Sequence, residues 1–256
     1  MGMPSADINS MEVNIDDGSI FFLDRASRCI YLYSNDTNAV TSIRCGISQS
    51  IYSTIAYDWL GRNIYWTDGF FNWIAVQPVN TNDTSIYRVL IQNNMEKPRA
   101  ISVDPVTGLM FWFDLSPWGY RIERASLDGT DRRLVITQSL LSVHDIVADC
   151  LTSRLYWTDA KRFTIESSNY DGSDRQIVYK RSDNYFRSIS IDMNYVCATT
   201  FDGQSWRCIH KTTGNVQVTR VNEFSASENP RLISIYKQDT KPSLTGIPYV
   251  KSQYSM

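Results

Sequence analysis

A four-residue aromatic signature recurs along this chain and constrains its fold more than any local pattern does. Tyr65-Trp66-Thr67-Asp68 returns as Phe111-Trp112-Phe113-Asp114 and as Tyr156-Trp157-Thr158-Asp159. Weaker copies stand at Phe21-Phe22-Leu23-Asp24 and Thr199-Thr200-Phe201-Asp202. The closing aspartates Asp24, Asp68, Asp114, Asp159 and Asp202 follow one another at intervals of 44, 46, 45 and 43 residues. An even period of that length marks a repeat architecture, and it overrides helix or strand propensities read locally.

Each of the last four units carries a second aspartate ten residues before the first: Asp58, Asp104, Asp149 and Asp192. It ends a short apolar run, Ile55 to Tyr57 in one unit and Ile101 to Val103 in the next, and turn residues such as Leu60-Gly61-Arg62 follow. The unit therefore opens with a hairpin whose second strand is the aromatic quartet. A third strand such as Arg121 to Ala125, a tight turn at Asp128-Gly129 or Asp171-Gly172, and a fourth strand such as Arg132 to Ile136 complete it. Four short strands per unit describe a propeller blade. The composition agrees with an all-β fold, because 7 Trp, 15 Tyr and 10 Phe against 2 His favour strands.

With the quartet, its spacing, the Lys97-Pro98-Arg99-Ala100-Ile101 lead-in and the Leu127-Asp128-Gly129-Thr130-Asp131-Arg132 turn in view, the chain resembles the YWTD, or class B, repeats of the low-density lipoprotein receptor family. The resemblance implies a six-bladed propeller on an extracellular receptor. Here about five blades are expected plus one strand of a sixth at Leu232 to Tyr236, with the propeller over 11–242 and disordered tails over 1–10 and 243–256. Two alternatives stand: a fragment of a longer receptor whose first strands are missing, or a ring closed with five blades. Residues 1–10 show neither a basic start nor an apolar stretch, and Gly2 is followed by Ala6 where a myristoylation signal needs Ser or Thr.

Strand order assigns loops to faces. Segments entering each first strand and loops after each quartet share one face, and both kinds of hairpin turn share the other. The first face collects Phe70, Phe71 and Trp73 from the second unit, Trp118 and Tyr120 from the third, Arg162 and Phe163 from the fourth and Trp206 from the fifth. The entering segments add Arg99, His144, Arg187 and Arg231 near the central channel. Aromatics and arginines are the side chains that protein interfaces use as anchors. The resemblance implies the same use of this face, since the Wnt co-receptor and nidogen branches hold a partner protein there. Endocytic, Wnt-signalling and matrix roles all follow from it, and the chain does not choose among them. It also implies neighbouring EGF-like modules in the same polypeptide.

Residues that recur in every good copy are read as structural. Tyr65, Trp66, Trp112, Tyr156 and Trp157 are expected to pack blades together, and Asp68, Asp114 and Asp159 to bind backbone groups at blade junctions. Cys29 and Cys45 flank one turn, and Cys197 and Cys208 another, so the choice lies between two cross-strand disulfides and isolated thiols, with Cys150 left over. Asn35-Asp36-Thr37 and Asn82-Asp83-Thr84 are glycosylation sequons on the face away from the aromatics.

Other classes recede. With 25 basic and 27 acidic side chains the net charge of −2 provides no basic field for nucleic acid or a membrane surface. No catalytic signature is present, and no cofactor or metal is expected. The best enzymatic alternative is a calcium-dependent six-bladed hydrolase, whose channel would gather Glu, Asn and Asp ligands; the entering segments offer cations instead. The expectation is a non-catalytic module binding an extracellular protein on the outer side of the cell surface.

Overall fold

The computed structural model describes residues 7–220 apart from 15, 49, 82, 84, 118, 182–184 and 202–204. Blade 1 is β1 (Ile8–Val13), β2 (Ile20–Asp24), β3 (Cys29–Ser34) and β4 (Ala39–Cys45); blade 2 is β5 (Ile55–Asp58), β6 (Asn63–Asp68), β7 (Trp73–Pro78) and β8 (Arg88–Ile91). Blade 3 is β9 (Pro98–Asp104), β10 (Leu109–Asp114), β11 (Arg121–Ser126) and β12 (Arg133–Ile136); blade 4 is β13 (Val143–Asp149), β14 (Arg154–Asp159), β15 (Thr164–Asn169) and β16 (Gln176–Lys180). Blade 5 is β17 (Phe186–Ile191), β18 (Tyr195–Thr200), β19 (Ser205–His210) and β20 (Val216–Arg220). Each blade is a four-stranded antiparallel sheet in sequence order, and no helix occurs among the described residues. Strand β1 starts at Ile8, so the last residues of the stretch expected to be a tail belong to blade 1. The sixth-blade strand expected at Leu232 to Tyr236 lies outside the described residues.

Alternation along the quartet explains its recurrence. Tyr65 and Trp66 point to opposite sides of β6, so Trp66 packs toward blade 1 with Phe21, Leu23 and Ile30, while Tyr65 packs toward blade 3 with Met110 and Trp112. Trp157 enters the core between blades 3 and 4, and Tyr156 the core between blades 4 and 5. Trp112 and Trp157 are wholly buried. In blades 3 and 4 an arginine from the fourth-strand turn closes over that indole: Arg132 lies 5.5 Å from the Trp112 ring and Arg175 5.4 Å from Trp157. Glu123 and Glu166 hold those guanidiniums at 2.7 Å.

The aspartates do the junction work in hydrogen bonds. Asp68 Oδ2 accepts from Ser48 N, Asp114 Oδ1 from Glu96 N and Lys97 N, and Asp159 from Leu141 N and Ser142 N, each in the segment that enters the same blade. Asp58, Asp104, Asp149 and Asp192 each accept from backbone N–H groups in the first hairpin turn, two or three residues on. Cys29 is disulfide-bonded to Cys45 and Cys197 to Cys208, each pair directly opposite on neighbouring strands. Cys150 is a half-buried thiol outside both disulfides, and burial pushes its pKa up to about 12.

Candidate functional site

The first strands of the blades stand innermost and line a central channel. Four of them, β1, β9, β13 and β17, are irregular within their first few residues, with register shifts near Ser10, Ala100, Asp145 and Ser188. A bulge bends a strand and re-aims the side chains beside it. Those side chains are Asn9, Arg99, His144 and Arg187, which line a cavity of about 320 Å³ at one mouth of the channel.

A hydroxyl at the following position of the repeat ties blade 1 to blade 2 and blade 2 to blade 3. Ser10 Oγ accepts from Ile55 N and Thr54 Oγ1 from Ile101 N, both at 3.1 Å. Blade 3 has Ala100 at this position, with no acceptor for Ile146 N, and instead Ser102 Oγ accepts from Ala148 N at 3.0 Å. Asp145 in blade 4 takes up both duties: Oδ1 accepts from its own neighbour Ile146 N at 3.0 Å, and Oδ2 from Ile189 N at 2.9 Å and Ser188 Oγ at 3.0 Å.

Charge is layered along the channel. The Arg99 guanidinium lies 4.0 Å from the Tyr52 ring, and burial lowers its pKa only to about 10, so it stays cationic. Arg187 lies 5.8 Å from the Phe201 ring. Burial first, and then the neighbouring Arg99 and Arg187, push His144 down to about 4, which makes it neutral at physiological pH. Beyond this collar lies Glu12, which lines both the mouth cavity and a second cavity at the other end of the channel. Burial, and secondarily Asp145, raises Glu12 to about 8. Burial also raises Asp145 to about 6 against its three hydrogen bonds.

The channel thus gathers Arg99, His144 and Arg187 as the sequence suggested, but on strands β9, β13 and β17 rather than in loops. It also holds Asn9, Glu12 and Asp145, so the expectation of an entry lined by cations alone is corrected. The signal for the two acids was in the repeat: Glu12 stands where the other blades have Ala56, Ser102, Val147 and Ser190, and Asp145 where they have Ala100 and Ser188. Among the described residues no group of three or more His, Cys, Asp or Glu is placed to hold a metal ion.

The aromatics separate into different places. Phe70 and Phe71 are exposed and stacked edge to face at 5.1 Å. Trp73 opens β7 and packs 4.9 Å from Phe71 and 6.5 Å from Tyr87. Blade 2 departs from blades 3 and 4 here, since Tyr87 and Ala75 replace the Arg132–Glu123 clamp of blade 3, and Arg44 lies 3.7 Å from the Tyr87 ring. Tyr120 packs 5.9 Å from Phe113 at the edge of blade 3. Phe163 is half-buried in the turn before β15, and Trp206 is a half-buried residue of β19; neither lines the channel cavity. Trp118, Arg231 and Asn82 lie outside the described residues, and Asn35 sits in the exposed β3–β4 turn.

Residues 108–149, from the first hairpin of blade 3 to the end of β13, match the family model described as low-density lipoprotein receptor repeat class B. The human low-density lipoprotein receptor-related protein 5-like protein is 29% identical over 188 residues, covering 73% of this chain and 71% of its own length. Protein cueball of Drosophila grimshawi is 30% identical over 212 residues, 81% of this chain, although the match spans only 33% of that protein. A solved nidogen/laminin complex superimposes with a TM-score of 0.75 at 23% identity, covering 86% of this chain and 82% of the matched one. That likeness is one of fold.

Proposed function

Proceeding from a YWTD-type propeller that carries the low-density lipoprotein receptor class B repeat, we propose that this chain is a non-catalytic module that binds an extracellular protein ligand at the channel mouth. The observation that carries the reading is the collar itself: Arg99 and Arg187, each backed by an aromatic ring, beside a neutral His144 in an open cavity of about 320 Å³. Aromatic backing holds a guanidinium in place without cancelling its charge, which lowers the ordering cost when a partner docks. Names among the relatives support it: one is a receptor-related protein, another is the vitellogenin receptor Yl of Drosophila melanogaster, 35% identical over 126 residues, and the solved fold is a nidogen/laminin complex. The vitellogenin receptor match covers 6% of that protein, which supports reading this propeller as one module, on the outer side of the cell surface and beside the EGF-like neighbours that the resemblance implies.

Selection of displayed peptides on the folded chain tests the site. Peptides that compete with one another and lose binding to the Arg99→Glu, Arg187→Glu double variant support the channel mouth. Equal binding to wild type and double variant removes it. A nidogen-like role in matrix adhesion predicts laminin fragments among the binders.

A further inference from the structure

A further concavity adjoins the channel mouth at the loops of blade 2, bordered by Arg28 of blade 1 and Lys97 before blade 3. It measures about 580 Å³, and its wall residues Ile51 and Tyr52 also line the channel cavity, so the two form one continuous surface. Ile51, Phe70 and Phe71 are 54%, 72% and 46% exposed, an unusual grouping of large apolar side chains in water. Arg28 and Lys97 border it, and among the described residues no carboxylate lines it. The aromatic loop is held in shape from below, where Asp68 Oδ1 accepts from Phe70 N at 3.0 Å and Phe71 N at 3.1 Å.

We infer that this off-axis cavity takes an acidic peptide segment carrying one bulky apolar side chain, laid outward from the channel mouth over Tyr52. The inference rests on the channel-mouth reading and names the partner's chemistry at its border. Arg28 and Lys97, neither of them ion-paired among the described residues, select negative charge, the exposed Phe pair selects an apolar anchor, and the capped loop holds those rings ready. A neutral or basic segment gains the apolar contact but leaves the cations unanswered.

The test uses the full chain and three fluorescent peptides that place one Phe among Asp and Leu, among Asn and Leu, or among Lys and Leu. Amide NMR shifts on adding the acidic peptide locate its contacts. The proposal expects shifts at Ile51, Gly69, Phe70 and Lys97, and about tenfold weaker binding for Phe70→Ser and for Lys97→Glu. Both side chains are exposed, and circular dichroism checks that the variants are folded. Binding of the acidic peptide no tighter than the other two overturns the proposal. Shifts confined to Arg99, His144 and Arg187 overturn it as well while leaving the channel-mouth reading in place. Absence of shifts at either site for all three peptides overturns both.

Discussion

Lys211 Nζ lies 2.6 Å from Asp149 Oδ2, and both side chains are almost fully buried at the junction of blades 4 and 5. Lys211 directly follows β19, as Tyr170 directly follows β15, and the Tyr170 hydroxyl donates to Asp104 Oδ2 at 2.9 Å. In both cases the residue after a blade's third strand reaches back to the aspartate that ends the preceding blade's first strand. One repeated contact, ionic in one junction and neutral in the other, thus locks neighbouring blades.

Removing one partner of a buried ion pair leaves the other charge unanswered, at a cost of about 3–5 kcal/mol. Lys211→Met is therefore expected to lower stability by about that amount. Adding Asp149→Asn recovers a substantial part, because the amide keeps an oxygen for Leu151 N and carries no charge. Denaturant midpoints of wild type, the two single variants and the double decide it. Additive losses would show that the pair is uncoupled.

Glycine at the tight turns is required for two separable reasons. Gly172 has φ +86°, and a Cβ there would lie 2.1 Å from the Val135 carbonyl oxygen of the preceding blade. Gly108 has φ +70° with open space around it. Gly108→Ala carries only the conformational penalty of about 1 kcal/mol, and Gly172→Ala adds a backbone displacement in blade 3. Thermal unfolding is expected to show a drop of about 2–4 °C for the first and a clearly larger one for the second. Equal drops would remove the inter-blade contact from the account.

The blade was legible because one register serves blades 1 to 4: the quartet must bury both faces of its strand, so its spacing survives in the sequence, whereas in blade 5 the hairpin is two residues shorter and Cys197 to Thr200 take the quartet positions. The channel was only half legible. Arg99 and Arg187 stood out as charges beside apolar runs, whereas Asp145 became meaningful through Ala100, whose missing acceptor Asp145 replaces from the next blade. That dependence crosses 45 residues and three intervening strands, and no local pattern encodes it. Trp206 misled for a related reason, since the weak last quartet Thr199-Thr200-Phe201-Asp202 gives little indication of where the loop ends and β19 begins.

The disulfides close loops with sequence separations of 16 and 11, and a cross-link of that size stabilises by about 3 kcal/mol through the unfolded chain. Intact mass is expected to rise by four hydrogens on reduction. Native alkylation at neutral pH should leave Cys150 almost untouched, because burial holds its thiol protonated. Rapid modification at five sites without reductant would mean that neither bond forms.

The channel acids and the channel histidine pull stability in opposite directions with pH. Glu12 and Asp145 are raised, so between their ordinary values and about 8 and 6 the folded state holds protons that the unfolded chain has released. Stability from these groups therefore falls as pH rises through those windows. His144 is lowered to about 4, so below about 6.5 the unfolded chain binds a proton that the folded state refuses, and stability falls as pH drops. Glu12→Gln is expected to match wild type near pH 5 and to gain on it progressively toward pH 8. His144→Gln is expected to match wild type near pH 8 and to gain as pH falls below 6. Urea midpoints of the three proteins across pH 5 to 8.5 measure both trends, and parallel curves for Glu12→Gln and wild type would place Glu12 in a wetter environment than the channel provides.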